Sequence, residues 1–152
     1  MNAQTKDLSP MDRFKSVLKR HSLKATPQRL AVHEAMLSLG HASAEEVVEW
    51  ISGAGKCKIT RASVYNILTQ MVSLGIYSQR LAISGKMVFD VTTGSHLHLY
   101  DTYSGTWKDL DDNTLMETVL ERMGRRRFKG YKVDGVDISI LCHPSRIKKR
   151  GR

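Results

Sequence analysis

Two histidines at alternate positions of a predicted strand are the residues best suited to chemistry in this chain. His96 and His98 stand at i and i+2 in an alternating apolar segment, so their imidazoles share one face of the strand. Two imidazoles on one face can reach a single metal ion. Pairs with this spacing also occur on ordinary protein surfaces, so the spacing alone leaves both interpretations open.

Three further side chains could complete a metal site. Asp90 ends a predicted hairpin, and His41 occupies a turn between two predicted helices. Asp109 lies on the predicted strand that follows the strand of His96 and His98. Imidazole and carboxylate ligands without thiolate suit Fe(II), Mn(II), Zn(II) or Co(II). In the structural alternative, His41 only lies beside a helix cap at Ser43, and the two aspartates only solvate strand ends.

The first half of the chain predicts helices followed by a hairpin. A short basic helix within residues 11–29 is followed by three helices, which begin at Thr26, at a capping box opened by Ser43, and at Thr60. The apolar face of the helix after Thr26 is Val32, Ala35, Met36 and Leu39. Residues 76–83 and 86–91 flank the turn signal Ser84-Gly85. This order predicts a winged helix-turn-helix.

The helix that begins at Thr60 is the candidate recognition helix. Arg61, Tyr65 and Thr69 form one exposed line at i, i+4 and i+8, with Asn66 beside them. Their donors and acceptors suit base edges and phosphates in double-stranded DNA.

The second half predicts strand, strand, helix, strand. The strands are expected at residues 96–100, 107–110 and 136–142, and a helix capped by Asp112 or Asn113 separates the last two. The apolar face of this helix is Leu115, Met116, Val119, Leu120 and Met123. About 60 residues with one helix cover both faces of a sheet poorly, so we expect a homodimer.

These elements predict an α/β (α+β) chain with two domains and a tail. Residues 1–91 would form the winged-helix DNA-binding domain, residues 92–144 a small α/β dimerisation and metal-binding domain, and residues 145–152 a basic tail. The tail carries Arg146, Lys148, Lys149, Arg150 and Arg152. For this tail and for the cluster of Arg125, Arg126, Arg127 and Lys129, solvated charge is the simplest interpretation.

Composition narrows the classes of partner. The 24 Lys and Arg residues exceed the 15 Asp and Glu residues, giving a net charge of +9, which favours nucleic acid as a partner. The absence of a long apolar run and of a secretory signal predicts a cytoplasmic protein without a membrane partner. Cys57 and Cys142 form no C-x-x-C pair. No Ser-His or Cys-His pairing is visible, so we expect neither an enzyme nor a small-molecule substrate.

Five motifs in order resemble the ferric uptake regulator (Fur) family of bacterial metal-responsive repressors, across about residues 16–143. They are LKATPQR (23–29), HASAE (41–45), ASVYN (62–66), GKMVFD (85–90) and HLH (96–98). The resemblance implies that the regulatory metal is held by His41, Asp90, His96, His98 and Asp109. It also implies that Lys24 reaches a minor groove and Tyr65 contacts bases. The expected DNA contacts are Lys24, Arg29, Arg61, Ser63, Tyr65, Asn66 and Thr69.

The sequence departs from the family pattern at a second metal site and in DNA reading. Asp101 and Ser104 stand where most relatives have the first two cysteines of a structural zinc site. The second cysteine pair of that site, near the C-terminus, is also absent, and Pro144 stands there. We therefore expect no structural zinc, with burial of Tyr100, Tyr103 and Trp107 in its place. Asn66 stands where many relatives carry arginine, a change that favours adenine over guanine.

The sequence thus predicts a dimeric, metal-dependent transcriptional repressor with Fe(II) as the expected ion and Mn(II) or Zn(II) as alternatives. Both carboxylate ligands are aspartates, as in the peroxide-responsive branch of the family, so iron sensing and peroxide sensing both stay open. The alternative is a metal-independent winged-helix DNA-binding protein whose metal site has decayed.

Overall fold

The chain divides into two compact units, the first ending at Thr93 and the second beginning at Gly94. A computed structural model describes residues 8–146, and the division falls shortly after the predicted boundary at residue 91. The last six residues of the predicted basic tail lie outside the described part. Among the helices of residues 8–146, none has both the length and the apolarity needed to cross a lipid bilayer.

The first unit contains four helices and a three-stranded antiparallel sheet. In chain order its elements are α1 (Pro10–Arg20), α2 (Pro27–Leu39), β1 (His41–Ala42), α3 (Ala44–Gly53), α4 (Arg61–Ser73), β2 (Ser78–Leu81) and β3 (Met87–Asp90). The strand order in the sheet is β1-β3-β2. The helix order and the β2–β3 hairpin agree with the predicted winged helix-turn-helix.

Side-chain caps fix where these helices begin. The Thr26 and Thr60 side chains accept hydrogen bonds from the backbone N–H groups of Arg29 and Ser63, at 3.3 and 3.1 Å. Ser43 forms the predicted capping box with Glu46, whose carboxylate accepts from the Ser43 backbone N–H at 2.7 Å. Each cap satisfies a backbone donor that has no partner within its helix, so the predicted starts are confirmed.

The core of the first unit lies between its helices and the sheet. Val32, Ala35 and Met36 are fully buried, as predicted, whereas Leu39 is 39% exposed. The prediction for Leu39 was wrong because α2 ends at this residue, and Gly40 turns the chain away with a φ of 72°. The basic helix α1 joins the core through Phe14 and Leu18.

One short strand was not predicted. His41 was expected in a turn between two helices, but it belongs to β1, where it pairs with Asp90 while Ala42 pairs with Phe89. Two residues are too few for an alternating pattern, so periodicity could not reveal this strand. Its partner β3 also pairs with β2 and is therefore the central strand of the sheet.

The second unit follows the predicted order of strand, strand, helix and strand. Its elements are β4 (Leu97–Asp101), β5 (Thr106–Leu110), α5 (Asn113–Gly124) and β6 (Ile138–Cys142). The sheet order is β5-β4-β6, with β5 antiparallel and β6 parallel to the central strand. A parallel partner requires a crossover connection, and that connection contains α5.

Helix α5 is less buried than its apolar stripe predicted. Its N-cap is Asp112, which accepts from the Leu115 N–H at 3.0 Å. Met116 is its buried residue, while Leu115 and Leu120 are exposed. Much of the predicted apolar stripe of α5 is therefore exposed in the single chain.

Candidate metal ligands and DNA-contact residues

Strand pairing brings His41 and Asp90 together in the first unit. The two residues are register partners across β1 and β3, and His41 Nε2 lies 3.0 Å from Asp90 Oδ2. Both side chains are almost completely buried, at 8% and 2% exposure. A buried carboxylate needs a partner for its charge, and the imidazole lies within hydrogen-bonding distance.

Asp90 has further neighbours that hold its carboxylate. Its Oδ1 accepts a hydrogen bond from the Thr92 N–H at 2.7 Å. Arg80 Nη2 lies 3.9 Å from Oδ2, the same oxygen that faces His41. Sequence analysis missed Arg80. Its side chain reaches this site because Arg80 and Ser78 share one strand face, and Ser78 pairs directly with Asp90.

The second unit brings His96, His98 and Asp109 together. His98 and Asp109 are register partners across β4 and β5. Asp109 Oδ1 lies 3.3 Å from His96 Nε2 and 3.5 Å from His98 Nε2. The two imidazole centroids are 4.1 Å apart, and one potential ligand atom from each of these three residues lies within 4.8 Å of the others.

The second nitrogen of each imidazole also has an oxygen neighbour. His96 Nδ1 lies 2.6 Å from the Gly94 carbonyl oxygen, which can only accept, so Nδ1 donates its proton there and Nε2 is the nitrogen that faces Asp109. His98 Nδ1 lies 3.5 Å from Asp137 Oδ1. Oxygen acceptors behind ligand histidines fix the ring orientation and tautomer. Asp137 is therefore a further residue that the sequence analysis missed.

These donor sets fit a divalent first-row ion. Each unit supplies imidazole nitrogen and carboxylate oxygen, and His41, Asp90 and His98 are buried or nearly so. The set contains no thiolate, and the described residues Cys57 and Cys142 are free thiols. Such ligands suit Fe(II), Mn(II) or Zn(II).

The exposed side of α4 carries the predicted recognition residues. Tyr65 is 45% exposed, with its ring edge-on to Phe89 at a centroid distance of 6.1 Å, and Asn66 is exposed. Arg61 forms an ion pair with Glu45 of α3. Thr69, predicted in the same exposed line, is half-buried, and its hydroxyl donates to the Tyr65 carbonyl at 2.9 Å, so this side chain is engaged with its own helix.

The other three predicted DNA contacts have different surroundings. Lys24 is exposed. The Arg29 guanidinium donates to the Lys24 carbonyl at 2.8 Å and to Gln70 Oε1 at 3.1 Å, so it braces the entry to α2 against α4. Ser63 takes part in the cap of α4, where its hydroxyl accepts from the Thr60 hydroxyl at 3.0 Å.

A hydrogen-bonded turn occupies the β4–β5 connection. Asp101 Oδ1 accepts from the Tyr103 N–H at 2.8 Å and from the Ser104 N–H at 3.3 Å. The Tyr103 hydrogen bond is the largest influence holding the pKa of Asp101 below its usual value, and the Ser104 side chain adds to it. Asp101 and Ser104 thus close, by hydrogen bonding, the segment where the resemblance places zinc cysteines.

Aromatic burial beside this turn is only partly as expected. Tyr100 is buried, and its ring lies 4.6 Å from that of Trp107. Tyr103 is 66% exposed, so its predicted burial was wrong. The reason is its place in the turn itself, beyond the last residue of β4.

The fold and these residues define a winged-helix unit followed by a small α/β unit, with histidine and aspartate side chains gathered in each. A sequence model described as the Ferric uptake regulator family matches residues 20–139. The chain belongs to this family of transcription regulators, and the predicted family and fold class are confirmed.

Individual relatives agree with this assignment. The chain is 37% identical over 100 residues to the ferric uptake regulation protein of Bordetella parapertussis, in an alignment covering 64% of this chain and 71% of the relative. It is similar to the solved Vibrio cholerae ferric uptake regulator, with a TM-score of 0.70, 25% identity and coverage of 86% and 99%. The Campylobacter jejuni peroxide stress regulator gives a TM-score of 0.63, 25% identity and coverage of 93% and 99%.

Proposed function

We propose that this chain is a dimeric, metal-dependent repressor that binds double-stranded DNA. In this proposal one divalent ion, Fe(II) in the cell, is held by His41, Asp90, His96, His98 and Asp109. The observation that carries the proposal is that backbone register makes a histidine and an aspartate direct cross-strand partners in each unit. Both pairs present the donor atoms that the same ion prefers.

The proposed switch acts on the connection between the units. The last residue of β3 is one ligand, and β4 begins only a few residues later. Because side chains from both units would bind the same ion, metal binding restricts the angle between the units. A dimer reads two half-sites only when its recognition helices match the groove repeat of about 34 Å. The ligands therefore raise the population of the DNA-competent arrangement when they are metal-bound.

On the DNA side, we propose that Tyr65 and Asn66 contact base edges from the exposed surface of α4. Their exposure and the winged-helix order support this role. Lys24 reaches into the minor groove and Arg61 contacts a phosphate, since both are cationic and exposed. For Arg29, Ser63 and Thr69 the observed hydrogen bonds support positioning of these contacts, because their polar atoms already bind within the protein.

The test is fluorescence anisotropy of labelled promoter DNA with metal-stripped protein, titrated without oxygen with Mn(II) as an unreactive substitute for Fe(II). The salt concentration is held fixed because phosphate contacts dominate affinity. We expect Mn(II) to tighten DNA binding at least about tenfold, or 1.4 kcal/mol of coupling.

Matched variants identify the ligands. His96→Ala abolishes the response to Mn(II), whereas His143→Ala, which removes an exposed histidine outside the ligand set, retains it. Equal DNA binding by wild type and His96→Ala, with or without metal, would instead establish a metal-independent winged-helix protein.

The sensed signal is tested on the Fe(II)-loaded protein. Peroxide sensing predicts that peroxide ends metal-dependent DNA binding and that mass spectrometry finds an added oxygen atom on His41 or His96. Iron sensing predicts intact histidines and a binding response that follows Fe(II) concentration alone.

A further inference from the structure

The segment that follows α5 is the most densely basic part of the described chain. Residues 125–132 contain five cations and no acid, with two aromatic residues among them. The cations are Arg125, Arg126, Arg127, Lys129 and Lys132, and the aromatic residues are Phe128 and Tyr131. We call residues 125–132 the arginine loop. Neither the metal ligands nor the recognition helix includes any of its residues.

The arginine loop has a defined backbone. The Arg126 N–H donates to the Met123 carbonyl at 3.0 Å, which continues the end of α5. The Tyr131 N–H donates to the Phe128 carbonyl at 3.0 Å, and these two residues form an isolated β-bridge. Gly130 between them has a φ of 82°, which glycine adopts without strain. The turn therefore fixes the backbone positions from which both aromatic side chains project.

The aromatic rings remain accessible beside the charges. Tyr131 is 83% exposed and Phe128 is 39% exposed. A cavity of about 380 Å³ is lined by Met123, Arg126, Arg127, Phe128, Tyr131 and Lys132, among others. This volume lies within the range of about 300–1,000 Å³ typical of small-ligand sites. Cationic groups and an exposed ring thus border one concave surface.

We propose that the arginine loop binds a nucleotide unit that offers both a phosphate and an unstacked base. Arg126, Arg127 and Lys132 would bind the phosphate, and Tyr131 would stack on the base. Guanidinium groups recognise phosphate by charge-assisted hydrogen bonds, and aromatic rings stack on the bases of single strands. In a duplex the bases are stacked on one another, so a duplex offers this loop phosphates only.

Two sources carry this chemistry, single-stranded nucleic acid and free nucleotide. The proposal does not rest on the metal site, because the loop lies outside that site. The experiment therefore uses the full chain in the presence of a chelator, where failure of metal-dependent repression has no influence on the result.

The probe is a labelled oligothymidylate of about ten nucleotides, measured by fluorescence anisotropy at fixed salt, with inorganic polyphosphate and ATP as competitors. We expect Tyr131→Ala to weaken oligothymidylate binding about fivefold or more, without changing the affinity for polyphosphate. Tyr131→Phe retains the ring and the wild-type affinity. Tyr103→Ala, which removes an exposed tyrosine from another turn of the same unit, has no effect.

A charge variant separates the two parts of the site. Arg126→Gln weakens binding of both oligothymidylate and polyphosphate, and it does so more than Arg146→Gln, which removes one exposed charge elsewhere in the unit. Competition by ATP identifies free nucleotide as a ligand, whereas competition by oligonucleotide alone identifies a single strand. Either result supports the proposal.

Three results would overturn it. The first is absence of binding of both labelled oligothymidylate and labelled ATP, and the second is equal binding of these probes by wild type and Tyr131→Ala. The third is competition by a duplex that equals competition by the single strand and is weakened by Arg126→Gln. That result would make the loop a phosphate contact without base stacking. Because Tyr131 and Arg126 are both exposed, thermal melting should find these variants folded.

Discussion

At the scale of single residues, a buried histidine makes the first unit sensitive to acid. The His33 ring stacks on Phe14 at a centroid distance of 3.8 Å and shares a hydrogen bond of 2.7 Å with the Tyr77 hydroxyl. Burial lowers the pKa of His33 to about 4 and raises that of Tyr77. The folded state therefore favours a neutral imidazole, with Tyr77 also neutral.

We expect the unit to lose stability as the pH falls from 6.5 towards 4. In this window the unfolded chain binds a proton at His33 that the folded chain excludes. His33→Phe should reduce this acid-induced fall in the free energy of unfolding by about 2 kcal/mol. His21→Gln, which changes an exposed histidine, should leave the fall unchanged. Urea denaturation at about pH 7 and about pH 4.5 measures the difference. Identical pH dependence in wild type and His33→Phe would contradict this.

Arg80 should influence the affinity for metal, because it lies beside a proposed metal ligand. Its guanidinium is largely buried, 3.9 Å from the Asp90 oxygen that faces His41. A fixed positive charge near the ligands opposes a second positive charge at the same place. Arg80→Gln should therefore bind Mn(II) about tenfold more tightly, a change of 1.4 kcal/mol.

Competition with a fluorescent chelator measures this affinity. Arg20→Gln, an exposed change in α1, controls for net charge and should leave the affinity unchanged. Weaker Mn(II) binding by Arg80→Gln would mean that Arg80 serves instead to orient the Asp90 carboxylate.

At the scale of elements, the capping box before α3 stabilises the segment that follows His41. Ser43→Ala removes the acceptor for the Glu46 N–H and should lower the free energy of unfolding by about 1 kcal/mol. Ser52→Ala, an exposed change within the same helix, should not destabilise because alanine favours helix. Urea denaturation of the two variants distinguishes the cap from a general effect of serine removal.

The β4–β5 turn leads to a prediction about metal removal. Because Asp101 closes this turn by hydrogen bonds to backbone N–H groups, the second unit should keep its fold without zinc. A strong chelator should leave the circular dichroism of the full chain unchanged. Unfolding by the chelator that zinc reverses would show that a structural zinc site exists after all.

How far the elements could be predicted depends on their length and periodicity. The caps at Thr26, Ser43 and Thr60 marked helix starts because each is a local hydrogen bond between near neighbours. Strand β1 has two residues and no period, so its pairing with β3 appears only in the tertiary structure. The apolar stripe of α5 was predicted but its exposure was not, because periodicity shows an apolar face and not what covers it.

The candidate site shows the same division. Spacing along one strand put His96 and His98 on a common face. The predicted elements made Asp90, Asp109 and His41 further candidates, and the family resemblance then implied that all five bind the metal. Arg80 and Asp137 were missed because their closeness to the site depends on pairing between strands and on a parallel crossover. Contacts of that kind have no short-range signal in the sequence.

At the scale of the whole molecule, metal and DNA binding should influence one another equally. If Mn(II) tightens DNA binding by about tenfold, a saturating operator must tighten Mn(II) binding by the same factor, because the coupling free energy is shared. Titrations of Mn(II) with and without operator DNA check this equality. Unequal factors would point to a further equilibrium, such as dimer formation, in one of the two titrations.

The direct pairing of His41 with Asp90 and of His98 with Asp109 has an evolutionary consequence. Because the backbone ladder sets the position of these pairs, replacing an aspartate by glutamate lengthens a ligand by one methylene without moving any strand. A lineage can therefore retune which ion it prefers, or how reactive that ion is, through single substitutions on an unchanged scaffold. Regulators with different signals can in this way diverge from one ancestor while their folds stay alike.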